Sequence, residues 1–99
     1  MIRGTTPTHT FNLKIEARTI RALRITYKQG ENVVLEKTEE DATMSGYTIK
    51  VKLTQEDTYK FQANIPVQIQ LKIKTTSQDV LASRIKTMSV AAILNEEVL

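Results

Sequence analysis

The feature that most constrains this chain is the strict alternation of aliphatic and polar side chains along Val67–Lys74. Val, Ile or Leu occupies every second position, and Gln or Lys stands between them. Because successive side chains of a strand point to opposite faces, the pattern predicts a strand with one buried face and one solvated face. The run Tyr47–Leu53 repeats the pattern. Two such strands require a sheet, so the chain is predicted to be built on β-structure.

Shorter alternating runs and turn residues divide the rest of the chain into further strands. Thr54 and Asp57 are spaced as in a capping box, which predicts one helical turn from Gln55 to Tyr59. A last long strand is predicted from Val80 to Val90, with a bulge near Thr87 that reconciles its imperfect alternation. The other predicted strands lie around Phe11–Ile15, Leu23–Lys28, Val33–Leu35 and Ala42–Met44.

About seven short strands with regularly spaced turn signals and one helical turn are typical of an immunoglobulin-like antiparallel β-sandwich. A small open barrel is the alternative all-β architecture. The chain has 99 residues, which predicts a single domain over 1–99. The alternating strands predict these core residues: Leu23, Ile25, Tyr27, Ile49, Val51, Leu53, Val67, Ile69, Leu71 and Ile73.

Composition and isolated residues argue against several classes of function. The chain has no cysteine, which excludes disulfides, thiolate nucleophiles and cysteine metal sites. No apolar run approaches the ~18 residues of a membrane span, and the N-terminal residues lack the apolar core of a signal peptide. His9 has no recognisable nucleophile or orienting group beside it and is predicted to be a solvated strand residue. The acidic run Glu36–Asp41 lacks the pattern of a calcium loop. We therefore expect no enzyme activity, no cofactor, no metal and no membrane partner.

Basic side chains on outward positions of three predicted strands form a candidate basic face. The net charge is only +3, so the distribution of charge matters more than its sum. Such a face suits phosphate binding, although Phe11 and Tyr27 are predicted to face the core and leave no platform for stacked bases. Outward lysines also protect sheets from aggregation. Nucleic acid is therefore a less favoured partner than protein. The six residues are Arg24, Lys28, Lys72, Lys74, Arg84 and Lys86.

The segment Ile93–Leu99 carries apolar side chains that need a covering surface, and it is a candidate docking tail through Ile93, Leu94, Val98 and Leu99. The tail either folds back on its own sandwich, which the bulged last strand favours, or docks on a neighbouring molecule. In the second case the extended arm Gly4–Thr8 is expected to add to the sheet edge of that neighbour. The first case stabilises the monomer, whereas the second makes the protein an oligomer or a connector between other chains.

Four segments resemble those of a family of small proteins encoded in prophages of Firmicutes: Arg3–Thr8, Leu53–Thr58, Gln68–Leu71 and Ile93–Leu99. The resemblance extends distantly to the N-terminal immunoglobulin-like domain of phage baseplate upper proteins. Ser77–Asp79 departs from it, since a glycine is expected in that turn. The resemblance implies a non-enzymatic structural or assembly protein of the tail or baseplate, whose partners are phage structural proteins or further copies of itself. It also implies synthesis in the bacterial cytoplasm and a place in the virion, and it supplies no functional residues.

Overall fold

Eight strands, one short α-helix and two 3-10 turns make up the computed structural model, which describes all residues 1–99. The 3-10 turns cover Ala17–Thr19 and Glu39–Asp41, and the helix α1 covers Gln55–Tyr59. The strands are β1 (Thr8–Asn12), β2 (Ile20–Gln29), β3 (Asn32–Thr38), β4 (Ala42–Ser45), β5 (Thr48–Lys52), β6 (Val67–Thr75), β7 (Val80–Ala82) and β8 (Lys86–Met88).

The strands form two antiparallel sheets that pack face to face. One sheet has the order β1-β5-β4, and the other has the order β3-β2-β6, with β7 and β8 pairing to different halves of the far side of β6. If β1 is taken as strand B of an immunoglobulin domain, these orders become B-E-D and C′-C-F-G, with β7 and β8 sharing position G. The predicted all-β sandwich is confirmed, and eight strands replace the predicted seven because the last one is divided.

The core is the one that strand alternation predicts. All ten predicted core residues are buried, and the cluster also takes in Ala17, Ile20, Leu35, Phe61 and Val90. The antiparallel register explains the agreement, since it sets Ile25 opposite Leu71 and Tyr27 opposite Ile69 on the same face. Side chains that face inward on one strand therefore meet inward-facing side chains on the next.

The helical turn α1 lies in the connection from β5 to β6, at the end of the sandwich where β5 ends and β6 begins, which we call the lower end. Its capping box is confirmed. The Thr54 hydroxyl accepts from the Asp57 amide at 3.0 Å, and the Asp57 carboxylate accepts from the Thr54 amide at 3.0 Å. The Asp57 carboxylate also lies 2.8 Å from Lys37 Nζ, which joins α1 to β3. Burial raises the pKa of Asp57, but the Lys37 ammonium and the Thr54 donors outweigh it and hold the pKa below its ordinary value.

The prediction of one long last strand from Val80 to Val90 is wrong. β7 ends at Ala82 and β8 begins at Lys86. Ser83 is the reason, because its hydroxyl accepts from the Leu71 amide at 3.0 Å and takes the place of a backbone carbonyl in the ladder. Serine side chains commonly compete with the backbone in this way.

Candidate protein-binding surface

Four of the six predicted basic residues lie on the outer face of β2 and β6. Arg24 is directly opposite Lys72, and Lys28 and Lys74 stand further along the same face. Arg24 is partly neutralised, because its guanidinium lies 3.1 Å from a carboxylate oxygen of Glu39. The remaining three lysines form no ion pair within the chain.

The other two predicted members leave this face, so the six residues do not form one surface. Lys86 is the register partner of Ile69 and therefore shares its inner side of the sheet. Arg84 lies in the connection between β7 and β8. Both side chains line the opening between the sheets instead. The division of the last strand at Ser83 explains the error. The prediction alternated inward and outward positions along one continuous strand, and this alternation shifts by one residue between β7 and β8.

A cleft of about 630 Å³ opens between the two sheets, at the margin formed by β1 on one side and by β7 and β8 on the other. Its basic lining residues are Lys14, Arg84 and Lys86. Its larger apolar lining residues are Phe11, Leu13, Ile15, Leu71, Ile73 and Leu81. The cleft thus combines an apolar interior with a basic rim, which suits a partner segment that carries both apolar and acidic side chains.

The strand β1 is a sheet edge with unpaired backbone groups. The amide of Leu13 donates to Tyr47 and the amide of Leu53 donates to Pro7, at 2.7 and 2.9 Å. Bonded and non-bonded pairs alternate along an antiparallel ladder. The amides and carbonyls of Thr8, Thr10 and Asn12 therefore point away from β5, toward the margin at which the cleft opens.

No charged side chain protects this edge, because β1 has the sequence Thr-His-Thr-Phe-Asn. By contrast, the edge strand β3 contains Glu36 and Lys37. Charges and prolines normally discourage other chains from pairing with a sheet edge. Sequence reasoning missed this edge, although the lack of charge in β1 was visible and only the strand order was needed to place it at a margin.

The space beside β1 is the position of strand A in an immunoglobulin domain. No segment of the chain pairs with β1 in that position, because the N-terminal residues pair instead with the segment after β8, through a single parallel bridge between Ile2 and Ala91. The expectation that Gly4–Thr8 adds to a neighbouring sheet is wrong, because this arm is bound within its own chain. The carbonyl of Gly4 accepts from Gln55 Nε2 at 3.2 Å, and the carbonyl of Thr5 accepts from the Thr58 hydroxyl at 2.9 Å.

The candidate docking tail is largely in solvent. Leu94 and Leu99 are fully exposed and Val98 is 56 % exposed, whereas Ile93 is half-buried. The contacts that hold the segment are polar, chiefly an ion pair of 2.7 Å between Glu96 and Arg3. The favoured prediction, that the apolar side chains fold back on the sandwich, is wrong for the three exposed residues.

His9 is a structural link and not the solvated residue that was predicted. Its Nδ1 lies 2.7 Å from the hydroxyl of the fully buried Tyr27. Burial lowers the pKa of His9, and the N-terminal ammonium and Lys86 lower it further. Burial also raises the pKa of Tyr27, with a further contribution from Asp57. The pair is therefore neutral near pH 7 and joins the two sheets through one hydrogen bond. The shared parity of His9 and Phe11 was the signal for this inward orientation.

Nowhere in the chain do three His, Asp or Glu side chains come close enough to share a metal ion. None of the helices is long and apolar enough to cross a membrane. In comparisons with known proteins, no protein-family model, no curated protein and no solved structure matches this chain.

Proposed function

We propose that this protein is a non-enzymatic structural or assembly protein that acts by contacting other protein chains. The resemblance to prophage and baseplate proteins suggests phage structural proteins as its partners. One observation carries the proposal: an uncharged sheet edge borders an apolar cleft, while an apolar segment of the same chain stays in solvent.

Both features gain from association. A strand that pairs with β1 satisfies its outward amides and carbonyls, and the cleft removes the apolar side chains of that strand from water. The shielded ionisable groups serve the fold instead of a reaction, because Asp57 caps α1 and His9 bonds to Tyr27. Because Asp57 and His9 are held in these structural hydrogen bonds, a protein-binding role is favoured over catalysis.

The experiment is light scattering over a concentration series, on the chain alone and mixed with purified proteins encoded beside its gene. The test variant replaces Leu94, Val98 and Leu99 by serine. The matched control replaces three exposed apolar side chains outside the tail, those of Val33, Met44 and Tyr47, by serine. We expect the wild-type chain to form a larger species in at least one sample, and we expect the serine variant to lose it without a change in melting temperature. A monomer in every sample would overturn the proposal.

A second candidate function is nucleic-acid binding, which the grouping of Arg24, Lys28, Lys72 and Lys74 on one outer face favours. If the four side chains neutralise four phosphates, a plot of the logarithm of the binding constant against the logarithm of the salt concentration should have a slope of about −3 to −4. Gel-shift titrations over a series of salt concentrations that begins at low salt, with random duplex and single-stranded DNA, measure it. The Lys72→Ala/Lys74→Ala double variant should reduce that slope by about 2. Absence of binding at tens of micromolar would remove this candidate.

A further inference from the structure

We propose that the open position beside β1 is an acceptor slot for Ile93–Leu99 of a second copy of this chain, which enters as an added strand. The inference rests on the proposed function and names the partner and both contact surfaces. Donor and acceptor are different parts of the same molecule, so the contact is head-to-tail. Contacts of this kind build rings when the rotation closes and filaments when it does not.

The backbone of the slot is prepared for a strand. Thr8, Thr10 and Asn12 each direct an amide and a carbonyl into it, and strand addition converts these groups into inter-chain hydrogen bonds. Strand A occupies the same position in an immunoglobulin domain. The added segment would therefore complete a known arrangement of strands and would not create a new one.

The donor matches the slot in length. The edge runs from Thr8 to Leu13, whose amide makes the last bond to the neighbouring strand. It corresponds to roughly 20 Å of extended chain, and Ile93–Leu99 corresponds to roughly 23 Å. No regular structure has to be broken to release the donor, because these residues lie in neither a helix nor a strand. The contacts to be given up are few and exposed, such as the ion pair of Glu96 with Arg3.

The donor also matches the slot in chemistry. In an extended chain Leu94, Glu96 and Val98 share one face. With that face turned inward, the two aliphatic side chains meet the apolar lining and the carboxylate meets the basic lining at Lys86 and Arg84. A charge match of this kind chiefly sets register and suppresses wrong pairings.

The occupant is a second copy because the slot stays empty within the chain itself. Ala91 is fixed at the lower end of the margin by hydrogen bonds with Met1 and Arg3, of 2.8 and 3.0 Å. From there the chain continues past Arg3 and Tyr59, and no residue after Met88 lines the cleft.

The first test removes one outward amide of the slot. Thr10→Pro deletes an N–H that does not bond to β5, and the proline ring also obstructs an incoming strand. We expect the self-association constant to fall about tenfold or more, because a backbone bond is lost and the ring clashes. Thr10→Ala is the matched control, which keeps the amide and should associate like the wild type. A melting curve and circular dichroism verify that both variants are folded. If the Thr10→Pro variant is folded and associates as strongly as the wild type, the proposal that β1 accepts an added strand is overturned.

The second test exchanges the charges. Lys86→Glu and Glu96→Lys should each weaken self-association, and the two changes combined in one chain should restore it, because the exchanged pair attracts again. A double variant no stronger than the weaker single variant would overturn the predicted register. Rescue also requires a specific contact, which a general change of net charge does not supply.

The two tests separate this inference from the proposed function. If the serine variant of the tail loses association but Thr10→Pro does not, the tail binds elsewhere, so the slot is overturned and the function stands. If the chain binds proteins of neighbouring genes but does not associate with itself, the slot is likewise overturned and the proposed function stands. Concentration-independent protection of the Thr8, Thr10 and Asn12 amides from hydrogen exchange, lost with the serine tail, would show that the chain fills its own slot and would overturn the second-copy assignment.

Discussion

One lateral margin of the sandwich is closed by the chain itself and the other is left open, although the same two sheets and the same core lie between them. At one margin the chain itself crosses from β3 to β4 through the Glu39–Asp41 turn, and Lys37 links β3 to α1. At the other margin β1 faces β7 and β8 across a cleft that no segment of the chain fills. We call these the closed margin and the open margin.

The two margins differ in whether their backbone amides and carbonyls have hydrogen-bond partners within the chain. At the closed margin the backbone is satisfied locally, since the Leu23 amide donates to the Glu39 carboxylate at 3.2 Å and the Thr38 amide donates to Asp41 at 3.0 Å. At the open margin the outward groups of β1 have no partner in the chain. Stability is therefore expected to reside at the closed margin and association at the open one.

The largest expected effect is the loss of Phe61, which follows α1 in the chain and is buried with its ring centroid 5.8 Å from that of Tyr27. Phe61→Ala should cost about 3–5 kcal/mol, because a full aromatic side chain leaves a closed core. Leu81→Ala at the open margin should cost less than about 1 kcal/mol, because Leu81 is 45 % exposed. Urea unfolding measures both. Similar costs would mean that the open margin contributes as much to stability as the buried core.

The next effect concerns the link between α1 and β3. Asp57→Asn leaves the shielded Lys37 ammonium without its charged partner and weakens the cap, which should cost about 1–3 kcal/mol. Glu56→Gln on the exposed side of the same helix is the control and should leave stability unchanged. Thermal unfolding at pH 7 compares them. If the Asp57→Asn variant were as stable as the control, the ion pair between Lys37 and Asp57 would contribute nothing to the stability of the closed margin.

A smaller effect is expected at Gly4, where the N-terminal arm passes α1 at the lower end of the open margin. Gly4 has φ +77°, and an added Cβ would lie 2.6 Å from the ring of Tyr59. Gly46 has φ +56° with no atom near the same position. Gly46→Ala should cost about 1 kcal/mol from backbone strain alone, and Gly4→Ala should cost more. Equal losses of stability in the two variants would show that the Tyr59 ring moves aside at no cost in free energy.

The smallest effect is a pH dependence with a different window at each margin. The lowered pKa of His9 means that the unfolded chain binds its proton more readily, so stability falls as the pH drops below 6.5. The lowered pKa of Asp57 acts in the same direction below pH 3.8. Melting temperatures from pH 8 to pH 3 should decline in two steps, and His9→Asn should remove only the first. A single step in the wild type would show that one of the groups is not coupled to folding.

Local patterns were sufficient for much of the fold. Alternation along Leu23–Lys28, Tyr47–Leu53 and Val67–Lys74 identified all ten core positions that were predicted, because the side-chain period of a strand is independent of its neighbours. The spacing of Thr54 and Asp57 located α1 for the same reason, since a capping box bonds within four residues. Features of this kind need no knowledge of the strand order.

The candidate site depended on tertiary structure. The interruption at Ser83 comes from a bond to Leu71 on another strand, and it turned Lys86 from the outer face to the cleft. His9 found its partner on β2, in the other sheet. The open slot beside β1 follows only from which strands pair and which position stays empty. The amino-acid sequence determined which faces of the strands are apolar, whereas the arrangement of strands decided which edges and charges remain free, because edge exposure depends on residues distant along the chain.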